Sequence, residues 1–208
     1  MNKSEFIAKI APHAVADMRK TGVAASLTIA QAALESGWGG SGLTKRANNL
    51  FGIKGAGPAG KCVMPTREYS GGKWITVDAA FRAYRDWGES IADHSALFLR
   101  GVSWDRNKYR GVIGKRGAAA ARAVAAAGYA TDPDYAAKLI AIMDAHNLYD
   151  YDTQGEAEPK VTKDDANKII NTWLKPAYGA AKTVAERKEI GRLADELRVA
   201  SGQPKQNG

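Results

Sequence analysis

Gln31-Ala32-Ala33-Leu34-Glu35-Ser36-Gly37-Trp38-Gly39 brings an apolar run to an end on one acid and a glycine. Upstream of it, Leu27, Ala30, Ala33 and Leu34 recur at helical spacing, so the sequence predicts a helix over 27–36, capped by Ser26 and stopped by Gly37. Glu35 therefore sits at the negative end of a helix dipole, between Leu34 and Trp38. The dipole and the apolar neighbours both disfavour a carboxylate, so each should raise its pKa. A carboxyl that keeps its proton near neutral pH is what a general acid needs to protonate a glycosidic oxygen. Residues 1–150 offer only Glu5, Glu35, Glu68 and Glu89 as glutamates.

Downstream, a glycine-rich stretch runs from Gly37 to Gly72. Thr66-Arg67-Glu68-Tyr69 and Lys73-Trp74-Ile75-Thr76-Val77 flank Ser70-Gly71-Gly72 and predict one hairpin, hence a small β lobe. Trp87, Ile91, Ala92, Ser95 and Phe98 share one helical face. Alanine-rich residues 117–127 predict a further helix ended by Gly128. Another is predicted after Thr131 or Asp132, with Pro133 in its first turn and Ala136, Leu139, Ile140 and Met143 facing inward. The fold class is α+β and mainly α. Residues 151–160, within a polar acidic run, read as a linker between a domain at 1–150 and a helical segment at 161–208. In that segment Thr162 with Asp165 and Thr183 with Glu186 have capping-box spacing. Each opens a helix with an apolar stripe: Ala166, Ile169, Ile170, Trp173 and Leu174 in one, Ile190, Leu193, Ala194 and Leu197 in the other. Pro176 and Gly179 are expected to separate the two. So short a hairpin buries little alone, so it is expected to dock or to oligomerise, and the oligomeric state stays open.

The 208 residues carry a net charge of +8. Residues 151–208 hold 10 basic and 9 acidic side chains, which leaves 20 against 13 in the first 150. The excess suits a polyanionic partner, but no nucleic-acid motif accompanies it, and nucleic acid is not expected. His13, His94 and His146 lack metal-ligand spacing, so neither a metal nor any other cofactor is expected, and all three read as structural or surface residues. Cys62 is the only cysteine and matches no protease motif. No stretch is apolar enough to span a bilayer, and the opening 20 residues lack the apolar core of a signal peptide.

The block around Glu35 and the run Asn48-Asn49-Leu50-Phe51-Gly52-Ile53-Lys54 resemble glycoside hydrolase family 73, the endo-β-N-acetylglucosaminidases. The resemblance continues through Thr66-Arg67-Glu68-Tyr69, Phe81-Arg82-Ala83-Tyr84 and Asp132-Pro133-Asp134-Tyr135-Ala136, over residues from about 12 to 148. It implies a lysozyme-like fold with a groove between a helical lobe and the hairpin. It also implies hydrolysis of the β-1,4 bond after N-acetylglucosamine in peptidoglycan glycan strands. Glu35 matches the family's acid, Glu68 a glutamate on its β lobe, and Tyr135 a tyrosine lining the groove. Asn48, Asn49, Phe51 and Gly52 match the turn beside the acid, as substrate contacts or as asparagines that tie a loop together. Trp74, Tyr69, Tyr129 and Tyr135 are candidate sugar platforms, whereas Trp38, Trp87 and Trp104 are expected in the core.

If Glu68 activates water, the two carboxylates should stand about 6.5 to 9.5 Å apart, or more, and configuration should invert; assistance by the substrate's 2-acetamido group would retain it. A muramidase or lytic transglycosylase is the competing enzyme, although the Gly-Leu-Met-Gln stretch of transglycosylases is absent. A wall-binding protein without catalysis is the competing class. Through Gly191-Arg192-Leu193-Ala194-Asp195-Glu196-Leu197-Arg198 the tail resembles C-terminal segments of phage endolysins and related hydrolases, which implies wall targeting or dimerisation by the tail and, with no signal segment read, storage in a host cytoplasm before release to the wall.

Overall fold

The computed structural model describes residues 1–153 and 161–206, apart from the side chains of Glu68, Tyr69, Ser70 and Trp74. The chain divides into two compact units, Met1–Glu156 and Ala157–Gly208.

In the first unit α1 (Lys3–Thr21) opens with a capping box between Asn2 and Glu5 and buries Phe6, Ile7, Ile10, Ala14 and Met18. It packs on α2 (Ala25–Ser36) and, beyond the short α3 (Gly42–Ala47), on α4 (Trp87–Arg100). α2 also meets α5 (Gly117–Ala126), α6 (Tyr135–Ala145) and α7 (Asp150–Thr153), so it is the central helix of this α-rich body. That position explains its composition: ten of its twelve residues are buried, leaving no room for a polar face.

The N-terminus of α2 departs from expectation. The helix starts at Ala25, and Ala24 at its N-cap supplies no side-chain bond. Ser26 lies inside the helix and donates to Asp152, through its N–H to Oδ1 (2.9 Å) and through its hydroxyl to Oδ2 (2.7 Å). Oδ2 of the same carboxylate accepts the Gly117 N–H (2.9 Å) at the start of α5. One buried carboxylate thus satisfies the orphan N–H groups of two helices. For the same reason the expected linker is too early at its start: Asp150–Thr153 form a helical turn of the first unit, while residues 154–160 lie outside the described ones.

Strands β1 (Lys61–Ser70) and β2 (Lys73–Arg82) pair antiparallel from Lys61↔Arg82 to Ser70↔Lys73, so the hairpin is longer than the two short segments that announced it. Gly71 and Gly72 close it with φ of 58° and 79°, the two left-handed residues of a two-residue turn. The root is anchored to α4: Arg82 Nη1 donates to both carboxylate oxygens of Asp93 (3.0 and 2.9 Å), which also accepts the Tyr84 hydroxyl (2.7 Å).

On α4 the buried face carries His94, not Ala92, which is exposed. Trp87 and Trp38 pack against the core, but Trp104 is 79 % exposed, in a loop where the Lys108 ammonium lies 5.9 Å from its ring centre.

In the second unit Thr162 caps α8 (Lys163–Ile169), and the chain then runs through a π-helical stretch, Ile170–Leu174, into α9 (Lys175–Ala180). Pro176 and Gly179 therefore lie within a helix and do not divide one from the next. The wide π turn, in which the Lys175 N–H reaches the Ile170 carbonyl, absorbs the disturbance that proline causes in a regular helix. α10 (Val184–Ala200) follows the Thr183–Glu186 capping box. Ala166, Ile170 and Ala194 form the buried contact, whereas Trp173, expected on the apolar stripe, is 69 % exposed.

Candidate active site

Glu35 is the penultimate residue of α2, and the chain leaves it through three successive left-handed residues, Gly37 (φ 56°), Trp38 (φ 58°) and Gly39 (φ 75°). The Trp38 N–H reaches back to the Ala33 carbonyl (2.8 Å), and the Gly39 N–H donates to the Ser36 hydroxyl (2.8 Å). A positive φ at a tryptophan costs about 1–3 kcal/mol and persists only where the surroundings fix it. Here the indole packs edge-on against Phe6 (5.7 Å) and His146 (5.0 Å). Gly39 has a steric reason as well: a Cβ there would sit 3.0 to 3.2 Å from Met1, Trp87 and Phe6. The Gly-Trp-Gly that follows the acid is thus the backbone device that ends its helix and holds its position.

The Glu35 side chain is open to solvent on one side, yet its carboxyl is crowded by protein. Loss of water raises its pKa, and a hydrogen bond donated by the Tyr135 hydroxyl (2.7 Å) pulls the other way. Burial dominates, so the proton is held above the ordinary glutamate range. Tyr135 is almost wholly buried, and its oxygen accepts a bond from Gln31 Nε2 (3.0 Å). Gln31 lies one turn before Glu35 on the same face of α2, and its Oε1 faces His94 Nε2 at 3.1 Å. Tyr129 stacks on Tyr135 at 5.9 Å, and the His94 ring stacks on Phe51 at 4.0 Å.

Two of the other three glutamates of the first 150 residues fall away on geometry, since Glu5 caps α1 and Glu89 bonds Arg85. Glu68 lies on β1 opposite Ile75, two pairs from the turn, and Trp74 lies opposite Tyr69. The side chains of Glu68 and Trp74 lie outside the described residues. Asn48 Nδ2 donates to the carbonyls of Tyr84 and Arg85 (both 3.0 Å). Asn49 Nδ2 bonds the carbonyls of Ile53 (3.0 Å) and Arg82 (2.9 Å), and its Oδ1 accepts the N–H groups of Phe51 (3.3 Å) and Ile53 (3.2 Å). Both amides are occupied in tying the turn to the hairpin root, which supports the loop-tying alternative. Phe51 is buried against His94, and Gly52 uses its freedom at φ 66° with open space beside it. Among the described residues no cluster of acids, histidines or cysteine could hold a metal ion.

Residues 11–148 match the glucosaminidase family, described as mannosyl-glycoprotein endo-beta-N-acetylglucosaminidase. The chain belongs to that family. Its glucosaminidase domain is similar to the exo-glucosaminidase LytG of Bacillus subtilis, with 42 % identity over 179 residues, covering 83 % of this chain and 62 % of that protein. A probable N-acetylmuramidase of Lactococcus lactis is 38 % identical over 156 residues, covering 73 % of this chain and 35 % of its own length. The chain therefore spans about three fifths and one third of these relatives. Among solved structures, the catalytic domain of the autolysin Auto of Listeria monocytogenes superposes with a TM-score of 0.68 at 39 % identity, covering 72 % of this chain and 87 % of that one. The architecture of the glucosaminidase domain is accordingly the lysozyme-like α+β fold, mainly α, that the motifs implied.

Gln31 and His94 are the site residues that sequence reasoning missed. The spacing of Gln31 from Glu35 was a usable signal, since residues four apart share a helix face. His94 offered none until α4 was seen to turn it toward α2.

Proposed function

We propose that the domain hydrolyses the β-1,4 glycosidic bond that follows N-acetylglucosamine in bacterial peptidoglycan, with Glu35 as the general acid. The Tyr135–Glu35 hydrogen bond at the end of a helix with no other charged residue carries this reading. Glu35, protonated through desolvation, gives its proton to the leaving oxygen. The carboxylate left behind is stabilised by the Tyr135 hydroxyl already aimed at it. Water then attacks the anomeric carbon, activated by Glu68 or preceded by the substrate's own acetamido group. Early proton NMR of the product distinguishes inversion from retention.

Removing a general acid costs about 10² to 10⁴ in rate, so Glu35→Gln should abolish wall clearing while leaving circular dichroism and melting unchanged. A folded Glu35→Gln protein that clears walls at the normal rate refutes the assignment. Activity requires the protonated carboxyl, so it should persist above the ordinary glutamate range and fall as pH rises through the raised pKa.

The name of the Lactococcus relative favours a second reading, cleavage after N-acetylmuramic acid. Mass spectrometry of the new reducing ends decides between the sugars. The fragment-length distribution decides between internal cuts and the end-wise cuts suggested by the name of the Bacillus relative. The proposal includes action outside the membrane, where the substrate lies, after endolysin-like storage in a host cytoplasm, and wall targeting by the second unit.

A further inference from the structure

Three hydrogen bonds in series join His94, Gln31, Tyr135 and Glu35, and only one direction of donation satisfies them all. An ionised Glu35 can only accept, so Tyr135 donates to it. The Tyr135 oxygen then accepts from the Gln31 amide nitrogen, which turns the amide oxygen toward His94. Two acceptors cannot bond, so the proton of neutral His94 is on Nε2. Its Nδ1 is buried with no partner among the described residues, in a ring held between Phe51 and Phe98. The reversed series would move the histidine proton to Nδ1 and orphan an N–H in an apolar wall, which folded proteins avoid more strictly than an unused acceptor. A doubly protonated ring is excluded because complete burial pushes the His94 pKa down to about 3.

We propose that His94 and Gln31 are positioning residues that lock the direction of this series, so that the Tyr135 hydroxyl proton always points at the Glu35 carboxylate. The inference deepens the reading of Glu35 as the acid and rests on it. Its chemical content is preorganisation: when Glu35 releases its proton, the donor that receives the new charge is already turned, with no rearrangement needed. The groups acting on Glu35 fit this economy. Tyr135 on α6 and Tyr129 in the preceding loop interact with it, α2 adds no other charge, and α4 contributes the neutral His94. With the lock removed the amide can flip, Tyr135 can turn its proton to Gln31, and the ionised form of Glu35 loses support.

The test uses the full chain. His94→Phe keeps a ring against Phe51 and Phe98 but deletes the Nε2 donor, and His94→Gln restores an N–H at similar reach. In His94→Phe, kcat should fall about threefold to tenfold, the worth of one fixed hydrogen bond, with KM little changed. The alkaline limb of kcat/KM should move up by about half a pH unit or more, because the bond that lowered the Glu35 pKa is no longer fixed. Carbon-13 NMR of labelled glutamate should show the Glu35 titration moving the same way, and His94→Gln should return both toward wild type. Gln31→Met breaks the series at its next link and serves if His94→Phe does not fold. A loss of kcat with both titrations unmoved, or no recovery in a folded His94→Gln, overturns the proposal. The Glu35 titration reads the lock without reference to turnover, so an active Glu35→Gln enzyme would refute the acid assignment and leave this result separately legible.

Discussion

α2 and α10 are built by opposite means. α2 buries ten of twelve residues and has no side-chain cap of its own and only one charged residue, whereas α10 buries three of seventeen and carries a complete capping box. α10 also has an Arg192 ion pair with Glu189 and another with Glu196 on its exposed face. α10 is written in its own sequence, through local bonds worth tenths of a kcal/mol each. α2 is held from outside, by α1, α5, α6 and a carboxylate far along the chain. A helix held from outside can dispense with charge, and that is what leaves Glu35 without a competing field beside it.

The contrast can be broken by mutation, most severely in the first unit. Phe6, wholly buried and in ring contact with Trp38 and Trp87, should cost about 3–5 kcal/mol as Phe6→Ala in denaturant unfolding, and a loss below 1 kcal/mol would mean that the core is not as drawn. Asp152→Ala leaves the donors of Ser26 and Gly117 unanswered and should cost about 2 kcal/mol or more, with the hydrogen exchange of residues 25–28 accelerated. Stability equal to wild type would show α2 to be self-sufficient after all. Deleting residues 157–208 should leave a folded domain with undiminished turnover on soluble glycan fragments. Its binding to whole walls should weaken at high salt, where the remaining basic charge is screened. Binding unchanged at high salt would exclude targeting by the second unit. At the small end, Trp173→Ala should change stability by no more than about 0.5 kcal/mol, because the indole is largely in water. A larger loss would mean that its ring is covered by a partner.

What could be read in the sequence was local. The glycine stop after Glu35, the Gly71-Gly72 turn and the Thr183–Glu186 box each use neighbours a few residues apart, and each is present. What escaped was pairing across the chain. Ser26 looked like a cap because its partner Asp152 is 126 residues away, and His94 looked inert because its partner Gln31 is 63 residues away. Trp104 was misplaced because bulk and apolarity do not reveal whether a loop turns its ring in or out. Pro176 was read as a break because a π turn has no signature in composition.

The distance between Ser26 and Asp152 also orders events in time. The chain is synthesised from its N-terminus, so the helix that carries Glu35 is made early, yet the carboxylate that completes its first turn is among the last residues of its unit to emerge. A product terminated before residue 152 would contain every proposed catalytic group and still lack that clasp. The first unit is therefore finished at its far end.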